Sequence, residues 1–240
     1  MCTVTLIARR NGYALGMNRD EKRTRVAGLP PKLRFVNQRA ILCPSEPGGG
    51  TWLALNDSGV TLALINWYSI TARVKANPVS RGDVVNAVSA AASFAEAASA
   101  LNDFPLHRTN AFRLIGIFPA GREVVEWLWD LKRLVRKQHR WRTQQWISSG
   151  FDEPEAQRIR GRTFRLAQRQ RSAGTLEWLR RLHASHAAEC GPFSTCMHRD
   201  DAATVSYTEA AVSARRATLR YRPGFPCAAG VWCVGDCPVR

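Results

Sequence analysis

Four pairs of short apolar segments constrain the fold of this chain more than any other feature of its sequence. Turn-forming residues separate the members of the first two pairs: Asn11-Gly12 in one and residues 56–59 in the other. Such residues join neighbouring strands into hairpins, and hairpins build antiparallel sheets. The run 62–65 is apolar at every position, which predicts a central strand covered on both faces. The pairs are residues 3–8 with 13–17, 51–55 with 60–67, 112–118 with 123–129, and 203–207 with 214–221.

Three segments have the composition and spacing of helices: residues 80–102, 152–171 and 175–187. In the first, apolar residues recur at helical spacing behind Ser80, a residue type that commonly caps helices. The order is hairpin, hairpin, helix, hairpin, two helices, hairpin, which predicts an α+β fold with largely antiparallel sheets. Helices covering two stacked sheets would make this a four-layer αββα sandwich.

The remaining stretches predict irregular structure. Residues 19–47 are polar and contain Pro30-Pro31, which favours an extended loop. From Pro223 onward the chain is rich in Pro, Gly and Cys, which is typical of an irregular tail. We therefore expect a single domain over residues 1–222 and an irregular tail over residues 223–240.

Length and hydropathy narrow the class of protein. The chain has 240 residues, enough for one large domain or two small ones. No apolar run approaches the ~18 residues of a membrane span. The apolar stretch 3–8 is too short for a signal peptide, and its arginines follow it instead of preceding it. These patterns predict a cytoplasmic protein whose seven cysteines are reduced.

The formal net charge of +16 has two interpretations. A solvated basic surface explains it without any partner. Binding to nucleic acid or another polyanion is the alternative. The sequence contains no nucleic-acid recognition motif, so we do not expect a nucleic-acid partner despite the charge.

Cys2 is the residue whose chemistry most suggests a catalytic role. Its side chain is small enough for Met1 to be removed, which would place a free α-amine and a thiol on one residue. The amine titrates near ~8 and the thiol near ~8.5, so the two groups are matched close to neutral pH. Terminal nucleophiles of this kind use their own amine as the general base. The alternative is an incidental buried thiol.

Metal-ligating residue types are frequent in the last third of the chain. None of them has the paired Cys-x-x-Cys spacing of structural zinc sites. His183 and His186 can be neighbours on a helix, but no acidic residue or third histidine completes a set in the sequence. The sequence therefore predicts no metal site. The residues weighed are His183, His186, Cys190, Cys196, Cys227, Cys233 and Cys237.

A set of short motifs resembles the NRDE family, also called the transport and Golgi organisation protein 2 family. The tetrapeptide Asn18-Arg19-Asp20-Glu21 is the motif that names the family. The resemblance is clear over residues 1–85, weaker over residues 110–222 and absent from the last 18 residues. The other motifs are Met1-Cys2, Gly49-Gly50-Thr51-Trp52-Leu53-Ala54, Leu64-Ile65-Asn66-Trp67 and Ser80-Arg81-Gly82.

The NRDE family in turn resembles the N-terminal nucleophile (Ntn) hydrolases, which are αββα sandwiches. The penicillin V acylases and bile salt hydrolases of that group cleave linear amides with an N-terminal cysteine. The resemblance thus implies an αββα fold and hydrolysis of a C–N bond in a linear amide. The implied partner is a small amide molecule.

The resemblance also implies roles for individual residues. Cys2 corresponds to the nucleophile, and Asp20 to the carboxylate that holds its α-amine. Asn66 corresponds to the amide that donates to the oxyanion, and Arg199 to a late arginine of the site. From the residues alone, Asp20 can instead brace its loop, and Asn66 can be a turn residue that ends a strand.

Two positions depart from the acylase pattern. Where the acylases have an arginine before the motif asparagine, this chain has Met17. In an extended strand, residues 17 and 19 point to the same face. Arg19 can therefore replace the missing arginine. Where a later asparagine is expected, the chain has Ser148-Ser149. Loss of one oxyanion donor typically lowers the rate ~10²–10³-fold.

These departures favour an alternative function. A protein with this fold can bind a hydrophobic or anionic ligand, such as an acyl or haem-like group, without catalysis. Neither interpretation requires a cofactor, and the sequence predicts none. The oligomeric state does not follow from the sequence.

Overall fold

The computed structural model describes residues 2–239, in which thirteen strands form two antiparallel sheets and four α-helices cover them. The strands of sheet A, in their order across the sheet, are β10 (Gln144–Ser148), β1 (Cys2–Arg9), β2 (Gly12–Lys22), β11 (Ala202–Val212), β12 (Arg216–Pro223) and β13 (Cys233–Pro238). Those of sheet B are β3 (Leu29–Val36), β4 (Arg39–Ser45), β5 (Leu53–Asn56), β6 (Thr61–Asn66), β7 (Phe112–Phe118), β8 (Glu123–Trp129) and β9 (Leu134–His139). The helices are α1 (Arg81–Val88), α2 (Phe94–Asp103), α3 (Glu153–Ala167) and α4 (Leu176–His183), with a short 3-10 helix at Leu106–Arg108.

The apolar side chains form three layers of core, which identify the architecture. Residues such as Val4 and Leu15 of sheet A pack against Ile65 and Ile117 of sheet B between the two sheets. A second cluster lies between sheet B and helices α1 and α2, and a third between sheet A and helices α3 and α4. The order of layers is therefore helices, sheet, sheet, helices. The predicted αββα sandwich is confirmed.

The predicted hairpins are present, and the central strand lies where its composition indicated. Strand β6 is the fourth of seven strands in sheet B, and its residues 61–65 are buried. It pairs with β5 on one side and with β7 on the other. A strand covered by apolar layers on both faces needs apolar side chains at every position.

The prediction of an irregular segment over residues 19–47 is wrong. It contains the end of β2 and the hairpin of β3 and β4. Strand β3 lies at the edge of sheet B, where its polar side chains are largely exposed and produce no apolar alternation. Its prolines are tolerated because an edge strand leaves one row of N–H groups unpaired, and the pairing shifts between Leu29 and Lys32. Strands β9 and β10 were also not predicted.

The tail is not irregular throughout, which corrects a second expectation. Residues 233–238 form strand β13, which pairs with β12 at the edge of sheet A. Cys237 lies opposite Ala217, and its side chain is buried between the sheets, whereas its neighbour Asp236 faces outward. Sheet A therefore extends beyond residue 222.

The single helix predicted over residues 80–102 is two helices. Ser80 begins α1 as predicted, but a new helix begins at Ser93, whose hydroxyl accepts a hydrogen bond from the N–H of Glu96. Helices α3 and α4 lie within the predicted ranges and end a few residues earlier. Among residues 2–239, no helix is long and apolar enough to cross a membrane.

Helix α4 is joined to sheet A by the buried side chain of His183. Its Nδ1 lies 3.0 Å from Oδ1 of Asn18, and its Nε2 lies 3.0 Å from Oγ1 of Thr5. Because the amide nitrogen of Asn18 donates to two backbone carbonyls, its Oδ1 accepts from His183. His183 is therefore the neutral tautomer protonated on Nδ1. Burial, reinforced by the charge of Arg160, lowers the pKa of His183 to about 3.

We expect the free energy of unfolding to decrease as the pH is lowered, because of this histidine. The unfolded chain binds a proton at His183 below pH ~6.5, whereas the folded chain does not until about pH 3. Moving from pH 7 to pH 5 should therefore remove about 2 kcal/mol of the free energy of unfolding. Urea denaturation measures the free energy of unfolding at each pH. The variant His183→Gln should lose this component of the pH dependence, whereas His107→Gln, at an exposed position, should keep it. Equal pH dependence in all three proteins would contradict the assignment.

Candidate functional site

The motif residues 18–21 of strand β2 point alternately to the two faces of sheet A. Asn18 and Asp20 face the helices: the Asn18 amide donates to the carbonyls of His183 and Thr195. Arg19 faces sheet B, where its guanidinium donates to Glu46 at 2.6 Å. The motif thus connects three layers of the fold.

Cys2 is the first residue of strand β1, and it faces the space between the sheets. Its register partners are Arg19 on β2 and Ser148 on β10. The side chain is 8% exposed and lines a cavity of about 310 Å³ between sheet B, sheet A and the N-terminus of α1. Arg19 and Asn66 line the same cavity. The structure therefore brings three of the five predicted site residues together.

Burial raises the pKa of the Cys2 thiol, and the negative charges of Asp20 and Glu21 raise it further. The positive charge of the amino terminus and, less strongly, a hydrogen bond with the backbone of Asp20 lower the pKa of the thiol. The net effect is a thiol that keeps its proton at neutral pH. A nucleophilic role for Cys2 therefore requires a base beside it.

Asp20 lies in a second, adjoining cavity of about 580 Å³, together with Arg199. Asn66 lines both cavities. The Asp20 carboxylate is fully buried, accepts a hydrogen bond from Thr204 at 2.6 Å and contacts Arg160 at 3.1 Å. Its charge is therefore held in place by groups from α3 and β11.

Arg19 lies on the strand face predicted from the sequence, but its guanidinium already has a partner. Like Met17, it points between the sheets, where Met17 is part of the core. Its guanidinium is paired with Glu46 and lies 4.4 Å from the centre of the Trp52 ring. A substrate would compete with Glu46 for this arginine.

Asn66 and Ser148 join the two sheets beside Cys2. The Ser148 hydroxyl donates to the carbonyl of Asn66 at 2.6 Å. Because a hydroxyl has one hydrogen, Ser148 cannot donate to an oxyanion at the same time. The Asn66 amide donates one N–H to the Tyr68 hydroxyl at 2.8 Å, and an amide has two.

Arg199 lies in the loop before β11 and lines the cavity of Asp20. Its guanidinium is paired with Asp201 at 2.8 Å and lies 4.5 Å from the centre of the Phe151 ring. It is not among the residues that line the cavity of Cys2.

Two arginines near the site were given no role by the sequence-based prediction. Arg81, at the start of α1, lines both cavities. Arg160 is the buried partner of Asp20, and it also donates to the Thr3 hydroxyl at 2.8 Å. The signal for Arg160 was its place between Ala156 and Phe164 on the apolar face of α3, where an arginine requires a buried partner.

Gly82 allows α1 to approach the loop that forms the cavity wall. A Cβ atom at this position would lie 2.7 Å from the backbone nitrogen of Thr51 and 2.8 Å from Cα of Gly50. Both distances are shorter than van der Waals contact. The N-terminus of α1, and with it Arg81, reaches the cavity only because residue 82 has no side chain.

Comparison with known families identifies the chain. The family described as Transport and Golgi organisation 2 matches residues 1–125. The chain belongs to this family. No curated protein matches it in sequence.

Solved structures of Ntn hydrolases share the fold of this family member. Penicillin V acylase from Agrobacterium tumefaciens superposes with a TM-score of 0.59 at 14% identity, over 98% of this chain and 86% of that one. Two variants of conjugated bile acid hydrolase from Clostridium perfringens give TM-scores of 0.57 and 0.61. Their identities are 9% and 8%, over 97% and 98% of this chain and 92% of each of theirs. At these identities the likeness extends to the fold alone.

We predict that Arg160→Met lowers the free energy of unfolding by about 3–5 kcal/mol, because the buried carboxylate of Asp20 loses the guanidinium that it contacts. The matched control Arg162→Met removes an exposed arginine from the same helix and should change stability by about 0.5 kcal/mol or less. Urea denaturation monitored by tryptophan fluorescence measures both. If the two variants were equally stable, the ion pair would contribute nothing.

Proposed function

We propose that this protein is an amidohydrolase that cleaves linear amides with Cys2 as its nucleophile, after removal of Met1. The observation that carries the proposal is the position of Cys2 at a cavity between the sheets of an Ntn-hydrolase fold. Asn66 lines that cavity. Asp20 is on the neighbouring strand β2, next to Arg19, the register partner of Cys2. The arrangement contains a nucleophile, a carboxylate and an amide donor.

The raised pKa of the Cys2 thiol determines how the reaction would begin. The free α-amine of Cys2 accepts the thiol proton as the sulfur attacks the amide carbonyl. The amine then transfers this proton to the leaving nitrogen, the C–N bond breaks and a thioester with Cys2 remains. Water attacks the thioester, releases the carboxylic acid and restores the thiol. Asp20 holds the amine, and the second N–H of Asn66 donates to the oxyanion.

The charges that line the cavity favour a substrate with an anionic group. Arg19 and Arg25 are both paired with Glu46. Arg81 donates to the carbonyl of Ala111 at 3.3 Å, and no ion pair joins it to a carboxylate of the described residues. Burial lowers the pKa of its guanidinium. A carboxylate on the substrate would supply the missing counter-charge.

The second candidate function is binding of an acyl or other anionic ligand without turnover. Three observations favour it. Met17 is buried in the core where the acylases have an arginine, the hydroxyl of Ser148 is committed to Asn66, and Arg19 is paired with Glu46. Binding requires only the cavity and Arg81, whereas hydrolysis requires a reactive Cys2.

We predict that Cys2 becomes acylated. Intact-mass spectrometry of the purified chain should show loss of Met1, and peptide mapping after treatment with an activated acyl ester should find an acyl group on Cys2. Penicillin V and a conjugated bile acid, the substrate classes in the names of the structural neighbours, are the first amides to test for turnover. Cys2→Ala should abolish acylation and hydrolysis.

Cys43→Ala is the matched control, because Cys43 is also a free buried cysteine but belongs to the core beneath α1 and α2. It should retain full activity. Retention of Met1, or hydrolysis by Cys2→Ala at the wild-type rate, would exclude the nucleophilic role of Cys2. Ligand binding that persists while Cys2 stays unmodified would favour the binding protein.

Arg81→Met tests the anionic group of the substrate. We expect KM for a carboxylate-bearing amide to rise at least about 10-fold, the effect of losing a charge-assisted hydrogen bond of ~1.5 kcal/mol. A neutral amide of the same size should be unaffected. The control Arg73→Met removes an exposed arginine from the preceding loop. Equal effects on the charged and neutral amides would show that Arg81 does not bind the anionic group of the substrate.

A further inference from the structure

Four side chains with metal-ligating atoms converge where the loop after α4 meets the segment before β13. His186, Cys196 and His198 belong to the loop between α4 and β11, and Cys227 belongs to the segment between β12 and β13. One ligand atom from each lies within 4.8 Å of the other three. Residues that are 41 positions apart in sequence thus meet at one point.

Three of the six distances between these atoms are close to the edges of a tetrahedral site. The two Nε2 atoms of His186 and His198 are 3.1 Å apart. Nε2 of His198 is 3.5 Å from Sγ of Cys196 and 3.5 Å from Sγ of Cys227. A tetrahedron with Zn–N of about 2.05 Å and Zn–S of about 2.3 Å has N–N edges of about 3.3 Å and N–S edges of about 3.6 Å.

The backbone holds three of the four residues in this arrangement. The N–H of Cys196 donates to the carbonyl of Ser185, which brings Cys196 beside His186. The N–H of His198 donates to the carbonyl of Gly191. The ring of Phe225 stacks on His198 with 4.5 Å between centres, and this contact carries the tail segment of Cys227 to the cluster.

We propose that His186, Cys196, His198 and Cys227 bind one Zn²⁺ ion in a closed tetrahedral site. Two cysteines and two histidines form a donor set that zinc favours, whereas magnesium and calcium require oxygen ligands. Two thiolates neutralise the charge of the ion, which suits a chain with a net charge of +16. All four positions are taken by the protein, so the role is structural.

The site would fix the loop that supports Asp20. Met197, between two of the ligands, donates its N–H to the Thr204 hydroxyl at 2.8 Å, and that hydroxyl donates to Asp20 at 2.6 Å. The ion would also attach the segment before β13 to this loop. Zinc thus stabilises the fold near the candidate site without contacting it.

The sequence did not predict this site because the ligands lack paired spacing and most nearby candidates belong elsewhere. His183, three residues before His186, faces the sheet and bonds Asn18 and Thr5. Cys237 is buried against the inter-sheet core. Only the fold separates the four ligands from the other cysteines and histidines.

Metal content of the purified full-length chain, kept reduced with a phosphine, tests the proposal. We expect one zinc per chain by elemental mass spectrometry in the wild type and in Cys190→Ser. Cys190 is the matched control because it is an exposed cysteine of the same loop outside the cluster. Cys227→Ser and His186→Gln should lower the affinity for Zn²⁺ at least about 10-fold in competition with a chromophoric chelator.

Cobalt substitution gives a second measurement that does not depend on activity. Co²⁺ in the wild type should show the visible bands of a tetrahedral ion and thiolate charge-transfer bands in the near ultraviolet, both weakened in Cys227→Ser. Circular dichroism identifies variants that fail to fold, and Cys227 is exposed, so its substitution leaves the core intact. Absence of zinc and cobalt uptake by the reduced wild type would overturn the proposal, as would equal metal content in Cys227→Ser and Cys190→Ser. Neither result depends on whether Cys2 is a nucleophile.

Discussion

Strand β2 is buried on both faces, and the rest of the structure depends on the contacts that its alternating side chains make. Asn18 and Asp20 reach the helix layer, where they bond the end of α4 and the guanidinium of Arg160. Arg19 reaches the opposite sheet through Glu46. Because charged groups are stable in an interior only when they are paired, each contact specifies one arrangement of the neighbouring layer. The motif that names the family therefore acts first as a structural connection between layers.

The proposed chemistry of Cys2 depends on the same burial. A thiol whose pKa is raised is a poor nucleophile unless a base accepts its proton, and the α-amine of a terminal cysteine is such a base. Asn66, at the end of the central strand of sheet B, approaches this residue from the opposite sheet. Gly82 allows α1 to approach the loop that forms the wall of this cavity. Among the described residues that line the cavity, Arg81 is the arginine that no ion pair joins to a carboxylate, and the proposed preference for an anionic substrate rests on it.

The tail and the loop after α4 form a second centre of organisation. Strand β13 extends sheet A. The proposed zinc ligands connect the segment before β13 to the loop of Met197, whose N–H donates to Thr204. Elements distant in sequence are thus joined close to Asp20. An ion at this point would reduce the conformational freedom of two long connections, each of which lacks regular structure over most of its length.

The amino-acid sequence by itself determined four of the hairpins, the helical segments and the αββα class, because turn residues and apolar periodicity are local signals. The motifs also singled out Cys2 and Asn66, which line one cavity. Only the tertiary structure decided the partners of these residues. Arg160 meets Asp20 across 140 positions, and Cys227 meets His198 across 29, so no local pattern encodes either contact. Edge strands β3 and β13 escaped prediction for a related reason: their stability comes from backbone pairing with a neighbour, and their side chains carry little of the apolar alternation by which strands are recognised.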